Sequence, residues 1–147
     1  MAKTKKRRKA SAFVLDSSVA LAWCFHDEAN AYADAVAARF PEVIGTVPVI
    51  WHLEIANALL MGERRKRSTE SNTAQWLGQL SGLPIVTDED GLAHTWTGVI
   101  SLARAQNLTA YDASYLELAM RRGLPLASLD NRLKAAAKAL GIAEFKP

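Results

Sequence analysis

Short apolar runs alternate along this chain with longer stretches of helical period. Ala12–Leu15 predicts a short buried strand, Glu42–Val47 holds a second and Leu83–Val86 a third. A fourth lies near Leu126, in Pro125-Leu126-Ala127-Ser128-Leu129, and a last near Ile142–Phe145. Between them the pattern predicts helices. The first carries Trp23 and Phe25, with Ser17 or Ser18 as its cap. An alanine-rich helix runs from about Asp27 to Phe40 and stops at Pro41. Pro48 suits the first turn of a long helix, with Val49, Leu53, Ala56 and Leu60 as its apolar face. Its terminal run Glu63-Arg64-Arg65-Lys66-Arg67 places cations where the helix dipole favours them. Further helices start at Ser68 or Thr69 (closed by Gly82), after the acidic turn Thr87-Asp88-Glu89-Asp90 (through Ala105), at Thr109, and from Asp130 to Leu140. Apolar strands alternating with helices argue an α/β fold, a central parallel sheet flanked by helices on both sides. In such sheets sites form beyond the carboxyl ends of the strands.

Charge changes the picture at one end only. The formal net charge is +3, yet six of the 18 basic residues are Lys3, Lys5, Lys6, Arg7, Arg8 and Lys9. The rest of the chain has 12 basic against 15 acidic residues. Residues 1–11 therefore read as a basic, solvated tail, and 12–147 as one domain with no internal repeat or linker. The tail's alternative reading is weak, sequence-blind attraction to nucleic acid. The apolar run after the tail is too short for a signal peptide, and no stretch approaches transmembrane length. One cysteine, Cys24, allows no intrachain disulfide and reads as a small core residue in a reducing compartment. A cytoplasmic protein without a membrane partner is expected.

Four carboxylates stand out. Asp16 ends an apolar strand, Glu54 interrupts an apolar helix, Asp112 opens a helix and Asp130 follows a strand. Asp112 has a structural alternative, because Thr109-Ala110-Tyr111-Asp112 spaces like a capping box. Asp130 reads equally as the N-cap of the last helix. Asp16 precedes a Ser-Ser pair able to cap without it. Glu54 borders the apolar stripe beside Ile50 and Ala58 and shares a face with Asn57. Acids so placed can converge, and converging acids call for a hard divalent cation with oxygen ligands.

Other chemistries fit less well. His52-Leu53-Glu54 lacks the paired cysteines of a zinc deaminase. His26, His52 and His94 have no ligand spacing. No glycine-rich phosphate loop or nucleophile elbow is present. Asp88-Glu89-Asp90 reads as a helix-start cluster.

The segments Phe13-Val14-Leu15-Asp16-Ser17-Ser18, Trp51–Leu59 with Glu54-x-x-Asn57, Leu108–Ala119 around Asp112, and Leu126–Leu133 around Asp130 resemble, in order and spacing, the four motifs of PIN-domain proteins. The resemblance spans Ala12–Phe145 and is greatest to VapC toxins of toxin–antitoxin pairs. It implies a PIN-like three-layer fold and an endoribonuclease dependent on Mg²⁺ or Mn²⁺. Asp16 and Asp112 would be the main metal ligands. Glu54 and Asp130 would complete the catalytic set, by holding a second ion or ordering water. Ser18 would support the pocket by hydrogen bonding, with Asn57 as a further support. Cations among Arg64–Arg67, Arg121 or Arg122 would offset the acids toward RNA. A cognate antitoxin would lie over a groove lined by Trp23, Phe25, Leu59 and Leu60, and a homodimer is also implied. The alternatives are a non-catalytic PIN-like RNA-binding or scaffold domain, and a haloacid-dehalogenase-type phosphatase whose second aspartate would fall at Ser18.

Overall fold

The computed structural model describes residues 11–147. The expected tail therefore falls, except for Ser11, outside the described residues. Four parallel strands, β1 (Ser11–Leu15), β2 (Val43–Pro48), β3 (Ile85–Asp88) and β4 (Leu126–Ala127), form one sheet in the order β3-β2-β1-β4. Val14 is the pivot of the register, facing Thr46 on one side and Leu126 on the other. Among the described residues seven α-helices flank the sheet: α1 (Ser17–Cys24), α2 (Ala31–Ala38), α3 (Ile50–Arg64), α4 (Glu70–Ser81), α5 (Ile100–Gln106), α6 (Ala110–Arg122) and α7 (Asn131–Ala139). None is long and apolar enough to cross a membrane.

The central strand β1 is wholly enclosed at Phe13, Val14 and Leu15. Phe13 stacks on Phe145 with ring centroids 4.1 Å apart. This contact, rather than a fifth strand, anchors the C-terminal segment, where only a bridge between Leu126 and Glu144 forms. Cys24 is buried in the same core, and burial, with a lesser push from Glu28, raises its thiol pKa to about 11. As a core residue it is inert.

Several expected boundaries move for local reasons. The alanine-rich helix is split. A short 3₁₀ turn covers His26–Glu28, then the Asn30 side chain accepts from the Tyr32 and Ala33 amides and starts α2 afresh. Pro48 closes β2 opposite Asp88 instead of opening α3. Thr69 with Asn72 makes a full capping box on α4, and Gly82 ends that helix. The segment after β3 is a 3₁₀ turn (Asp90–His94), then a π-helical stretch (Thr95–Val99), before α5.

The largest correction concerns α3. Its core-facing residues are Trp51, Ile55, Leu59 and Gly62. The expected apolar face is the outer one: Leu53 is 67% exposed, and Val49, Ala56 and Leu60 are exposed as well. The helix bears two apolar stripes. The one built on Trp51 wins because α1 packs there, where a Cβ on Gly62 would come within 2.9 Å of the Phe25 ring.

Candidate active site

In the order β3-β2-β1-β4 the chain steps one way from β1 to β3, then returns to the far side of β1 as β4. The crevice at the carboxyl ends of β1 and β4 is thus the topological switch point, where open α/β sheets bind ligands. Asp16 leaves β1 there, and Ser128 to Asp130 leave β4.

Asp16 occupies the N-cap position of α1 but makes no cap. Its carboxylate is buried and turned toward the β4 loop. Both Ser18 Oγ (2.5 Å) and Ser128 Oγ (2.8 Å) donate to Asp16 Oδ2. Each serine oxygen in turn accepts a loop amide, Leu129 N at 2.9 Å on Ser18 and Asp130 N at 3.0 Å on Ser128. Oδ1 has no donor among the described residues. Burial raises the Asp16 pKa; the two serines pull it down, and the charges of Asp112 and Asp130 push it up again.

Glu54 projects from the second turn of α3, half-buried. The hydroxyl of the fully buried Tyr115, on α6, donates to Glu54 Oε1 at 2.5 Å. Burial raises the Glu54 pKa, the Tyr115 hydrogen bond opposes that, and Asp16 and Asp112 add to the rise. The Tyr115 phenol is itself pushed far up, first by burial and then by Asp16 and Glu54. It stays a donor.

Asp112 lies in the first turn of α6. Thr109 Oγ1 accepts the Asp112 amide at 3.1 Å, so the threonine half of the expected cap forms. The carboxylate pKa is raised by burial and by Asp130, and lowered by Thr109 and Arg132. Asp130 is exposed and caps α7 through Oδ1, which accepts the amides of Arg132 (2.9 Å) and Leu133 (3.0 Å). Its capping role is real, and its charge also reaches Asp16 and Asp112.

The charges of the four acids act on one another: Asp112 and Asp130 raise the Asp16 pKa, Asp16 and Asp112 raise that of Glu54, and Asp130 raises that of Asp112. Among the described residues, however, no three His, Cys, Asp or Glu side chains form a ready-made metal cluster. Mg²⁺ suits such a looser set, because it retains several waters and needs only one or two carboxylates. The hard oxygen donors, the free Oδ1 of Asp16 and the mutual repulsion all fit a small divalent cation.

Asn57 is exposed and makes no side-chain hydrogen bond among the described residues. Tyr115, Ser128 and Arg132 were not legible as site residues. All three lie within the resembling segments, Ser128 in the expected fourth strand, with nothing in the local pattern to mark them. Among the expected cations, Arg121 is spent. It bridges the buried Asp88 and Glu117, at 2.7 Å to Glu117 Oε1 and in close contact with Asp88 Oδ2. Asp88 thus does both: its Oδ2 accepts the Gly91 amide at 3.1 Å at the start of the 3₁₀ turn, and it belongs to a buried ion-pair cluster with Arg121 and Glu117. Arg67 pairs with Asp27 (2.8 Å) and Glu28 and lies 4.4 Å over the Phe25 ring. Phe25 and Leu59, expected in a groove, are core; Trp23 is half-buried and donates to Ala33 O at 2.7 Å; Leu60 is exposed.

This arrangement, with the sheet order and the strand-end acids, is that of a PIN domain, and the chain matches that family over residues 13–139. The protein belongs to the PIN-domain family. No curated protein matches the sequence. Among solved structures it is similar to a Pyrobaculum aerophilum protein at 24% identity, covering 98% of this chain and 92% of that one, with a TM-score of 0.65. It also resembles the sarcin–ricin loop-cleaving toxin VapC20 of Mycobacterium tuberculosis, at 16% identity over 93% of this chain and 100% of that one (TM-score 0.59). A toxin–antitoxin complex from Klebsiella pneumoniae matches at 15% identity over 80% of this chain and 86% of that one (TM-score 0.55). At these identities the likeness is one of fold.

Proposed function

We propose that this protein is a Mg²⁺-dependent endoribonuclease of the VapC type, the toxin of a toxin–antitoxin pair. The observation that carries the reading is Asp16, buried at the switch point with one oxygen held by two serines, the other without a donor among the described residues, and the charges of Asp112 and Asp130 acting on it. Asp16 and Asp112 would hold Mg²⁺, or Mn²⁺ in its place. The ion would supply stabilisation of charge on the scissile phosphate and activation of water for phosphodiester hydrolysis. Ser18 and Ser128 fix the Asp16 carboxylate. Tyr115 orients Glu54, leaving its second oxygen to position water. Asp130 accepts the α7 amides through Oδ1, and its second carboxylate oxygen would be available to the ion or its water. Arg132, beside Asp112, offsets negative charge where RNA phosphate would arrive.

In the same reading one domain spans 12–147 and the protein works in the cytoplasm as a homodimer. A cognate antitoxin would cover the recess of about 570 Å³ bordered by Trp23, Phe25, Arg67, Trp76 and Gln79. The toxin assignment draws on the two toxin structures named above. A non-catalytic RNA-binding or scaffold role is the competing reading; the intact acidic set speaks against it. RNA cleavage measured with Mg²⁺, with EDTA, and with Asp112→Asn separates them. Cleavage should need the metal and fall at least about a hundredfold in the variant. Equal residual activity in all three would sink the nuclease.

A further inference from the structure

The cations of this chain are unevenly placed. Of the 12 basic residues outside the tail, Arg132, Lys134, Lys138 and Lys146 lie in residues 131–147, a segment with one of the 15 acids, Glu144. What precedes it is therefore strongly acidic, and a polyanion can approach the body of the chain at few places. α7 is one of them. It carries three cations and no acid, and because Leu133, Ala136 and Ala137 face the core, Arg132, Lys134 and Lys138 are all exposed. Unlike Arg67 and Arg121, none of the three is in an ion pair among the described residues.

Arg132 stands two residues past Asp130, and its charge acts on Asp112, which sets it at the acids. Its Nη2 donates to the Asn107 carbonyl at 3.1 Å. A neutral acceptor fixes the guanidinium without cancelling its charge and leaves its other N–H groups for an incoming anion. Lys134 and Lys138 lie roughly 120–160° round the helix from Arg132. Both border a groove of about 260 Å³ with Leu126, Ile142 and Glu144, and neither pairs with that glutamate. The exposed sector between the two cationic flanks is filled by Asn131, Ala135 and Ala139, side chains small enough for a backbone to cross closely. The other cationic run is less well placed: Arg64 lies ~15 Å beyond Glu54 along α3, and Arg67 is already paired.

A strand with one phosphate at the acids must continue past them, and the width of a helix, about 10–12 Å, separates Arg132 from the far flank. Cations that track a backbone are what a single strand requires. We propose that the outer face of α7 docks one arm of a single-stranded RNA substrate, with Arg132 on the phosphate next to the acids and Lys134 and Lys138 on phosphates beyond the crossing. The proposal rests on the RNA-cleaving reading above and adds where the strand lies.

Binding of a single-stranded RNA oligonucleotide to the full chain in EDTA tests this apart from cleavage. Anisotropy titrations across salt should show the log–log slope shrinking by about 2 in the Arg132→Gln/Lys134→Gln/Lys138→Gln variant, roughly 0.7 for each lost phosphate contact. Affinity at physiological salt should fall at least about tenfold. The basic tail is common to both proteins, so an unchanged slope assigns the binding elsewhere and overturns the proposal. Arg64→Gln/Arg65→Gln should lose less than the α7 variant, and the reverse order also overturns it. With Mg²⁺, Lys134→Gln/Lys138→Gln should raise KM about fivefold with kcat nearly kept, because these lysines hold the strand away from the bond that breaks. Hydrogen exchange supplies a variant-free measurement: RNA should protect the amides of α7, and protection confined to another helix refutes the docking. RNA bound through α7 without Mg²⁺-dependent cleavage would sink the nuclease and keep this proposal, whereas cleavage with an unchanged slope would do the opposite.

Discussion

Two serine hydroxyls on one carboxylate oxygen ordinarily favour ionisation, yet the Asp16 pKa is raised, because burial outweighs them and Asp112 and Asp130 add to the cost. A folded-state pKa above the unfolded one means that the folded protein holds a proton more tightly. That contribution to stability is present below the unfolded carboxylate pKa and is lost as pH rises through the folded value. Asp16→Asn keeps an oxygen for Ser18 and Ser128 but never ionises. Its melting temperature without metal should therefore exceed the wild type's by a few degrees at neutral pH and converge with it in acid, while cleavage is lost. Thermal melts across pH check both limbs. Ser128→Ala removes one of the two donors, so the Asp16 pKa rises further. If cleavage needs ionised Asp16, the acid limb of the pH–rate profile should move to higher pH, with a loss of about tenfold on that limb, as for a hydrogen bond to a charged group.

At the scale of elements, Arg121 ties α6 to Asp88 at the end of β3. Asp88 and Glu117 are 5% and 7% exposed, so both depend on one guanidinium. Arg121→Met should cost ~3–5 kcal/mol, the penalty of leaving buried charge unpaired, read from urea unfolding. Gly62→Ala should cost ~1–3 kcal/mol, because the new methyl meets Phe25 ring atoms at 2.9 Å. The elements themselves were largely legible. Chain order, period and punctuation locate α4 between Thr69 and Gly82 and α6 after Thr109. The face of α3 was not. Val49-Leu53-Ala56-Leu60 and Trp51-Ile55-Leu59 are both apolar at helical spacing, and periodicity cannot rank two stripes. Only the docking of α1 against Gly62 chooses between them.

For the whole molecule, repulsion among the acids predicts that a cation stabilises the fold. Saturating Mg²⁺ should raise the wild-type melting temperature by several degrees, as mass action requires of a ligand bound only to the folded state. Asp112→Asn should show little of that gain. An equal gain in both would point to binding elsewhere.

Asp16, Glu54, Asp112 and Asp130 were readable from the sequence because an acid at the end of an apolar strand or within an apolar helix conflicts with its local pattern. What surrounds them was not. Ser128 lies 112 residues from the aspartate it serves, and Tyr115 lies 61 from Glu54. These distances in sequence close only when β4 returns beside β1 and α6 crosses over β1 and β2. Local pattern determined the elements and the acids, since both are written in neighbouring residues. Tertiary structure decided which side chains hold the acids, which arginine is spent on an internal pair and which apolar stripe faces outward, since each depends on contacts between segments far apart in the chain.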